Sequence, residues 1–370
     1  MSLKKLLCVS LMCFGLSLVY AAAQTQPAAG PPAAAPATPS SPAKAAAAPL
    51  PDPKTPEEFF ARARQLSDLE ASGIPFHLKA TYVASGNTEF TGNGTYEEWW
   101  QSKDLWRKEA TLGDYKYVEI KDGDKHAVYA SSDYVPLRLR QMLEAVLIRI
   151  VPNSGSARDW KLKHKKINGV DLVVLSVDRP CGNEIKCLAA DYFMPKGVLR
   201  IHVDRSMQKL YNGFDGFYGL AIPHSVAVAG MNGDVLTISI TSLQPLSSSE
   251  SQMLQSVAPP PNLRSILLPS VANQKELMSD KVTRSRITDQ IAPIYPPAAL
   301  QKRMEGTVVM EATIDEHGRV REPFVISSPG SLLDMAAMDA VKQWRYRPLI
   351  INGVPICVTT TISVVFHYRP

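Results

Sequence analysis

Between Phe76 and about Leu243 apolar residues recur at every second position in short runs, and turn signals separate the runs. A period of two places alternate side chains on opposite faces of a strand, so this stretch has to fold as short β-strands. The runs are Phe76–Val83, Gly94–Trp100, Trp106–Ala110, Tyr115–Ile120, Ala127–Tyr129, Trp160–Leu162, Val170–Leu175 and Val198–Val203, with more to about Leu243. Lys121-Asp122-Gly123-Asp124, Asn168-Gly169, Asn212-Gly213 and Asn232-Gly233 read as turns. One helical pattern interrupts, with Leu139, Met142, Leu143, Val146, Leu147 and Ile150 on one face. A second helix opens at Thr55-Pro56-Glu57-Glu58, an N-cap followed by proline and early acids, and Gly73 breaks its pattern of Phe59, Phe60, Ala63 and Leu66. The expectation for residues 57–246 is a curved antiparallel meander or half-barrel wrapped on a helix.

Residues 290–370 read differently. Pro296 and Pro297 sit at a helix start, and Glu305-Gly306 leads a strand with Val308, Met310, Ala312 and Ile314 on one face and Thr307, Val309, Glu311 and Thr313 on the other. Asp315-Glu316-His317-Gly318 is a hairpin turn before a returning strand, Val320–Ser327. Ser331 is positioned to cap a helix whose face is Leu332, Leu333, Ala336, Ala337, Ala340, Val341 and Trp344. Asn352-Gly353 turns the chain into a long final strand, Pro355–His367. The fold class is therefore α+β, a β-rich domain followed by a small three-stranded antiparallel sheet with one helix across it. Residues 247–289, with Pro259-Pro260-Pro261, read as the linker between them.

The N-terminus carries Lys4 and Lys5, an apolar run from Leu6, and Ala21-Ala22-Ala23 at cleavage spacing, which reads as an export signal over residues 1–23. The competing reading is an uncleaved membrane anchor. Residues 24–56 are almost all Ala, Pro, Ser and Thr, a disordered tether that polyproline stiffening extends to about 100 Å at about 3.1 Å per residue. Of the 5 cysteines, Cys181 and Cys187 bracket a short loop and are read as a disulfide in an oxidising compartment, with two free thiols as the alternative. Cys357 is expected as a small buried apolar residue.

A Tyr-Pro pair, a Glu-Gly before a strand, an Asp-x-x-Gly-x-Val turn and a Trp-x-Tyr-x-Pro helix exit occur here as Tyr295-Pro296, Glu305-Gly306, Asp315/Gly318/Val320 and Trp344/Tyr346/Pro348, followed by Gly353. In this order they resemble the C-terminal domain of TonB-family energy transducers. The cue Gly94–Trp100, Trp106-Arg107 and Tyr115-Lys116 resembles outer-membrane lipoprotein carriers of the LolA type. The TonB resemblance implies a periplasmic protein that binds a segment of an outer-membrane transporter by β-strand addition, in energy-dependent transport. Its edge strand here would be Ile356 to Phe366, with Val358, Thr360, Ile362 and Val364 on the same side as these two and Thr359, Thr361 and Ser363 selecting the partner. The competing reading pairs this edge with a second copy or with the chain's own linker. Motor-coupled members carry a histidine in the membrane helix and residues 6–23 contain none, so coupling to an ExbB–ExbD motor is not implied.

Other classes fare less well. A formal charge of +5 without a basic stripe excludes a nucleic-acid partner. The histidines form no H-x-x-x-H pair, and neither G-x-S-x-G nor a phosphate-cradling glycine loop is present, so no enzyme activity, metal or cofactor is expected. Two alternatives stay open: a carrier with an apolar ligand in the middle domain, near Trp99, Trp100 and Trp106, and a structural envelope protein.

Overall fold

The computed structural model describes residues 51–368, apart from residue 87 and residues 149–158, 181–185, 205–206, 231–234, 255–259 and 267–283. The leader, most of the Ala/Pro tether, the Asn232-Gly233 turn, Ile150 and the Cys181–Cys187 disulfide expectation lie outside the described residues. Among the described residues no helix is long and apolar enough to cross a membrane. From Pro53 onward the chain forms one compact unit.

Thr55 starts α1 (Pro56–Ser67) with a reciprocal capping box: its hydroxyl accepts the Glu58 N–H, and the Glu58 carboxylate accepts the Thr55 N–H. The short α2 (Leu69–Ser72) ends at Gly73, whose φ of 73° is a left-handed stop. Five strands follow as a meander: β1 (Phe76–Ala84), β2 (Gly92–Ser102), β3 (Leu105–Leu112), β4 (Tyr115–Asp122) and β5 (Lys125–Ala130). After α3 (Leu137–Ala145) come β6 (Lys161–Ile167), β7 (Val170–Pro180), β8 (Lys186–Phe193), β9 (Leu199–Asp204), β10 (Met207–Phe217), β11 (Leu220–Ala229) and β12 (Val235–Pro245). All pair antiparallel, and β1 pairs β12 from Phe76 opposite Pro245 to Ala84 opposite Leu236. That one ladder joins two meanders into a single sheet, extended at the β5 edge by β13 (Arg264–Ile266).

The expected helix sits where the apolar pattern puts it. Leu139, Met142 and Ala145 are fully buried in the large core, and so are Val146, Leu147 and Ile148 just past the helix end. They share that core with Leu78, Tyr96, Tyr117, Val226 and Ile238 from the strands. Two local readings need correction. Asn212-Gly213 does not turn the chain but lies inside β10, where Gly213 takes φ 55° against His224 while the β10–β11 ladder continues on both sides. Strand β8 was not expected, since Ala189-Ala190 gives no alternation to read.

The C-terminal module is preceded by α4 (Ser248–Leu254) and contains β14 (Ile287–Asp289), α5 (Pro297–Gln301), β15 (Gly306–Ile314), β16 (Val320–Ser327), α6 (Ser331–Val341), β17 (Arg345–Tyr346), β18 (Leu349–Ile351), β19 (Val354–Ile356) and β20 (Val358–Phe366). Three strands form a sheet in the order β16-β15-β20, antiparallel throughout. Helix α6 covers one face, packing Leu333, Ala337 and Val341 on Val308, Met310, Ile362 and Val364. Its N-cap is Gly330 rather than Ser331, which is already the first helical residue. The expected final strand is also divided. Ile356 closes β19, which pairs with β18 across the Asn352-Gly353 turn, and β20 begins anew at Val358 to pair with β15. Cys357 occupies the break, half-buried, and is a free thiol.

The second face of this sheet is covered as well. Val309, Phe324 and Ile326 point away from α6 and pack on Leu137 at the start of α3. The module is thereby docked on the helix that fills the large sheet.

Candidate partner-binding edge

A three-stranded sheet has two edges, and these two differ. Strand β16 carries Pro323, which has no N–H to offer, and its pairing with β15 is interrupted by two register shifts. Proline and bulges are the usual means of blunting an edge. Strand β20 pairs with β15 in unbroken register from Val358 opposite Ile314 to Phe366 opposite Gly306, and it contains no proline. Val358, Thr360, Ile362, Val364 and Phe366 face the module core and are buried, whereas Val365 is exposed.

A groove of about 820 Å³ runs beside this edge. Ile362, Ser363, Val364 and Val365 form one wall, Trp344 and Tyr346 stand within it, and the segment from Arg284 to Pro293 forms the other. Sequence reading missed that second wall: its first part, to Asp289, falls in the stretch read as linker, and Gln290 to Pro293, at the start of the module, carry no strand or helix pattern. Its position is fixed by three contacts: β14 pairs with β17, the Arg347 N–H donates to the Arg286 carbonyl at 2.8 Å, and the Trp344 indole donates to the Ile291 carbonyl at 2.8 Å.

The spaced family residues are mostly scaffold for this edge. Asp315 is wholly buried; its Oδ1 accepts the His317 and Arg319 N–H groups at 3.0 and 2.8 Å, and its Oδ2 accepts Arg319 Nε at 2.7 Å. Gly318 takes φ 77°, and its carbonyl accepts the Tyr346 N–H at 2.9 Å. The Asp-x-x-Gly turn thus seats the strand that carries Tyr346, which is why the two motifs occur together. Val320 and Trp344 are in the core. Tyr295 packs edge-on against Phe366 at 5.5 Å and donates to the Met304 carbonyl, so the Tyr-Pro pair closes over the end of β20. Pro296 caps α5, Gly306 has φ 133° against Pro329, and the Pro348 carbonyl accepts from Arg286 at 3.1 Å. Gly353 serves the β18–β19 turn, and Glu305 is exposed at the start of β15.

Of the side chains expected to face a partner, Thr359 is engaged within the chain. Arg140 on α3 donates to its hydroxyl at 3.2 Å and reaches Glu311 at 3.4 Å. Thr361 and Ser363 are half-buried, farther along the strand. The docking contact has a second polar anchor. Pro136 is the N-cap of helix α3 and offers no side-chain cap, and the first helical N–H, on Leu137, donates to the Glu322 carboxylate. An acid at a helix N-terminus is stabilising, and this one comes from the other sheet. Arg321 completes the seam with an ion pair to Glu89 and a stacking contact 4.7 Å from the Tyr134 ring.

Burial, the dominant influence, holds the Glu322 carboxyl above its ordinary pKa, against the opposing pull of the Leu137 N–H and Arg140. A raised folded pKa means that the native state binds the proton more tightly. Its stabilising contribution is complete below the ordinary glutamate value and is lost as pH rises through the folded one. Glu322→Ala leaves the buried Leu137 N–H without a partner and should cost about 1–3 kcal/mol. The loss is expected in urea unfolding, together with faster amide exchange in the first turn of α3; unchanged exchange there would show that Glu322 does not cap the helix.

Residues 291–368 match the family model for the Gram-negative bacterial TonB protein C-terminal region. The chain is 35% identical over 81 residues to Protein TonB of Vibrio cholerae serotype O1, an alignment covering 22% of this chain and 33% of that protein. It is 39% identical over 62 residues to Protein TonB of Xanthomonas campestris pv. campestris, covering 16% and 28% respectively. The chain thus spans about a third or less of the length of these curated relatives. Among solved structures, the Pseudomonas aeruginosa TonB C-terminal domain aligns at 26% identity over 23% of this chain and 87% of its own, with a TM-score of 0.21. A LolA superfamily protein from Nitrosomonas europaea aligns at 12% identity over 55% of this chain and 99% of its own, with a TM-score of 0.34. The resemblance carried by the spaced motifs therefore holds at the level of family: residues 291–368 match the TonB C-terminal family.

Proposed function

We propose that this chain is a periplasmic, TonB-like interaction protein whose C-terminal module captures an extended segment of an outer-membrane transporter by strand addition along β20. The family match supports a TonB-like role. The observation that carries the mechanism is the unguarded β20 edge facing a groove. An incoming strand satisfies the outward N–H and C=O groups of β20, and every second side chain of it turns toward Trp344 and Tyr346. Backbone pairing supplies affinity, and the groove walls supply selection. This is a binding function. Coupling to an ExbB–ExbD motor is not part of the reading. The carrier alternative is not favoured, because the apolar side chains of α3 share one packed core with those of the large sheet.

The test is capture of synthetic peptides from the N-terminal extensions of outer-membrane transporters by the full chain. Backbone groups of adjacent residues in a strand point to opposite edges, so either Thr361 or Ile362 presents its N–H outward. Proline at the outward position should abolish capture with little loss of stability. Proline at the other breaks the β15 ladder and should lower the melting temperature. Capture that survives both Thr361→Pro and Ile362→Pro would show that β20 is not the docking strand.

A further inference from the structure

The β15–β16 turn that carries Asp315 and Gly318 also brings Glu316 and His317 against the loop ahead of α3, where Asp133 stands. One ligand atom from each of Asp133, Glu316 and His317 lies within 4.8 Å of the other two. Asp133 Oδ2 is 4.0 Å from His317 Nδ1, is shielded from solvent, and accepts no hydrogen bond. Buried carboxylate oxygens are normally satisfied, and a cation between these three groups would supply what this one lacks. The His317 side chain is 63% exposed, which leaves an ion a route in and the imidazole freedom to turn.

The donor set selects the kind of ion. Two carboxylates and an imidazole suit a first-row divalent transition metal and suit magnesium or calcium poorly, since those take oxygen ligands. Ligand atoms around tetrahedral zinc stand about 3.3 Å apart, given bonds of about 2.0–2.2 Å. The three groups have only to draw in by about an ångström, a movement within the reach of the His317 side chain, with water at the fourth position. The Arg264 guanidinium, 3.7 Å from Glu316, is the competing cation, but it is largely exposed and has room to leave. Cys357 stands behind the cluster, its thiol donating to the Asp133 carbonyl at 2.9 Å.

We propose that Asp133, Glu316 and His317 form a divalent metal site, best suited to zinc, that ties the C-terminal module to the large sheet. Asp133 belongs to the segment between β5 and α3, and the other two ligands belong to the module, so the ion bridges the docking seam rather than the peptide groove. Metal would hold the start of β16 against α3 without touching β20.

The experiment uses the full chain, stripped with a chelator and titrated with zinc chloride by calorimetry. Because the chain also has cysteines able to take zinc, the variants decide the outcome. Asp133→Asn and His317→Ala should each weaken one zinc site by at least about tenfold. In the parent chain zinc should slow amide exchange at Val320–Phe324, and in both variants this protection should be lost. His317 is exposed, so His317→Ala should melt like the parent without metal, which separates ligand loss from misfolding. Zinc binding of equal strength and stoichiometry in parent and variants, or no zinc binding by the parent in the calorimeter, would overturn the proposal.

Discussion

Gly318→Ala should unfold the C-terminal module or displace β17, at a cost of about 4 kcal/mol or more. Two effects add. The residue has φ 77°, where an L side chain costs about 1–2 kcal/mol. A Cβ there would also lie 1.8 Å from the Tyr346 carbonyl oxygen and 2.9 Å from its carbon, and both are backbone atoms with no rotamer to escape into. Relief requires the turn and β17 to separate, which breaks the Tyr346 N–H to Gly318 bond and moves Tyr346 and Trp344 out of the groove wall. Stability and peptide capture should therefore fail together. Gly353→Ala is the control. That glycine has a similar φ of 80° but open space around its added carbon, so only the conformational cost of about 1–2 kcal/mol applies. Equal urea midpoints for the two variants would refute the close-approach explanation.

Asp315→Ala should cost about 3 kcal/mol or more, as expected when one partner is removed from a buried, hydrogen-bonded ion pair. The carboxylate satisfies two backbone N–H groups of its own turn and holds Arg319 Nε at 2.7 Å, with Arg321 at 3.6 Å. Arg321 in turn reaches Glu89, between β1 and β2, and Tyr134, between β5 and α3, so the loss should spread from the turn into the docking seam. Asp315→Asn keeps an acceptor for the two N–H groups but turns an amide N–H₂ toward a guanidinium, and it should fall between the parent and alanine. Because the carboxylate is wholly buried, the difference should change little between low and high salt. Thermal melts at two ionic strengths measure both expectations, and a strong salt dependence would place the interaction at the surface instead.

The C-terminal module was legible because its determinants are local. Turn glycines, prolines at helix starts and the alternation of Val308, Met310, Ala312 and Ile314 each specify structure within a few residues. The docking of the module was not legible. Thr307, Val309, Glu311 and Thr313 alternate like a solvated strand face, and only Val309 hints at cover; Leu137, on which Val309, Phe324 and Ile326 pack, comes from a distant element. The same holds for the groove. Its edge strand could be read from alternation, but the wall from Arg284 to Pro293 is held by backbone hydrogen bonds to Arg347 and β17, and backbone bonding leaves no composition signal. Asn212-Gly213 misled for a related reason: the dipeptide supplies a positive φ, and β10 uses it inside a continuous ladder.

The β1–β12 ladder also sets the order in which this protein can fold. Phe76 finds its partner only when Pro245 is available, so the meander β1–β5 has to wait with an unpaired side until almost the whole sheet has been made. Closing so long a loop costs chain entropy before any native contact repays it. Substitutions at the buried Leu78, Tyr82, Leu236 or Ile238 should accordingly slow the final closure of the sheet. Until that closure the exposed edge of β1 is the part of the chain most prone to pair with a neighbouring molecule, which makes it a natural site for a holding chaperone to protect.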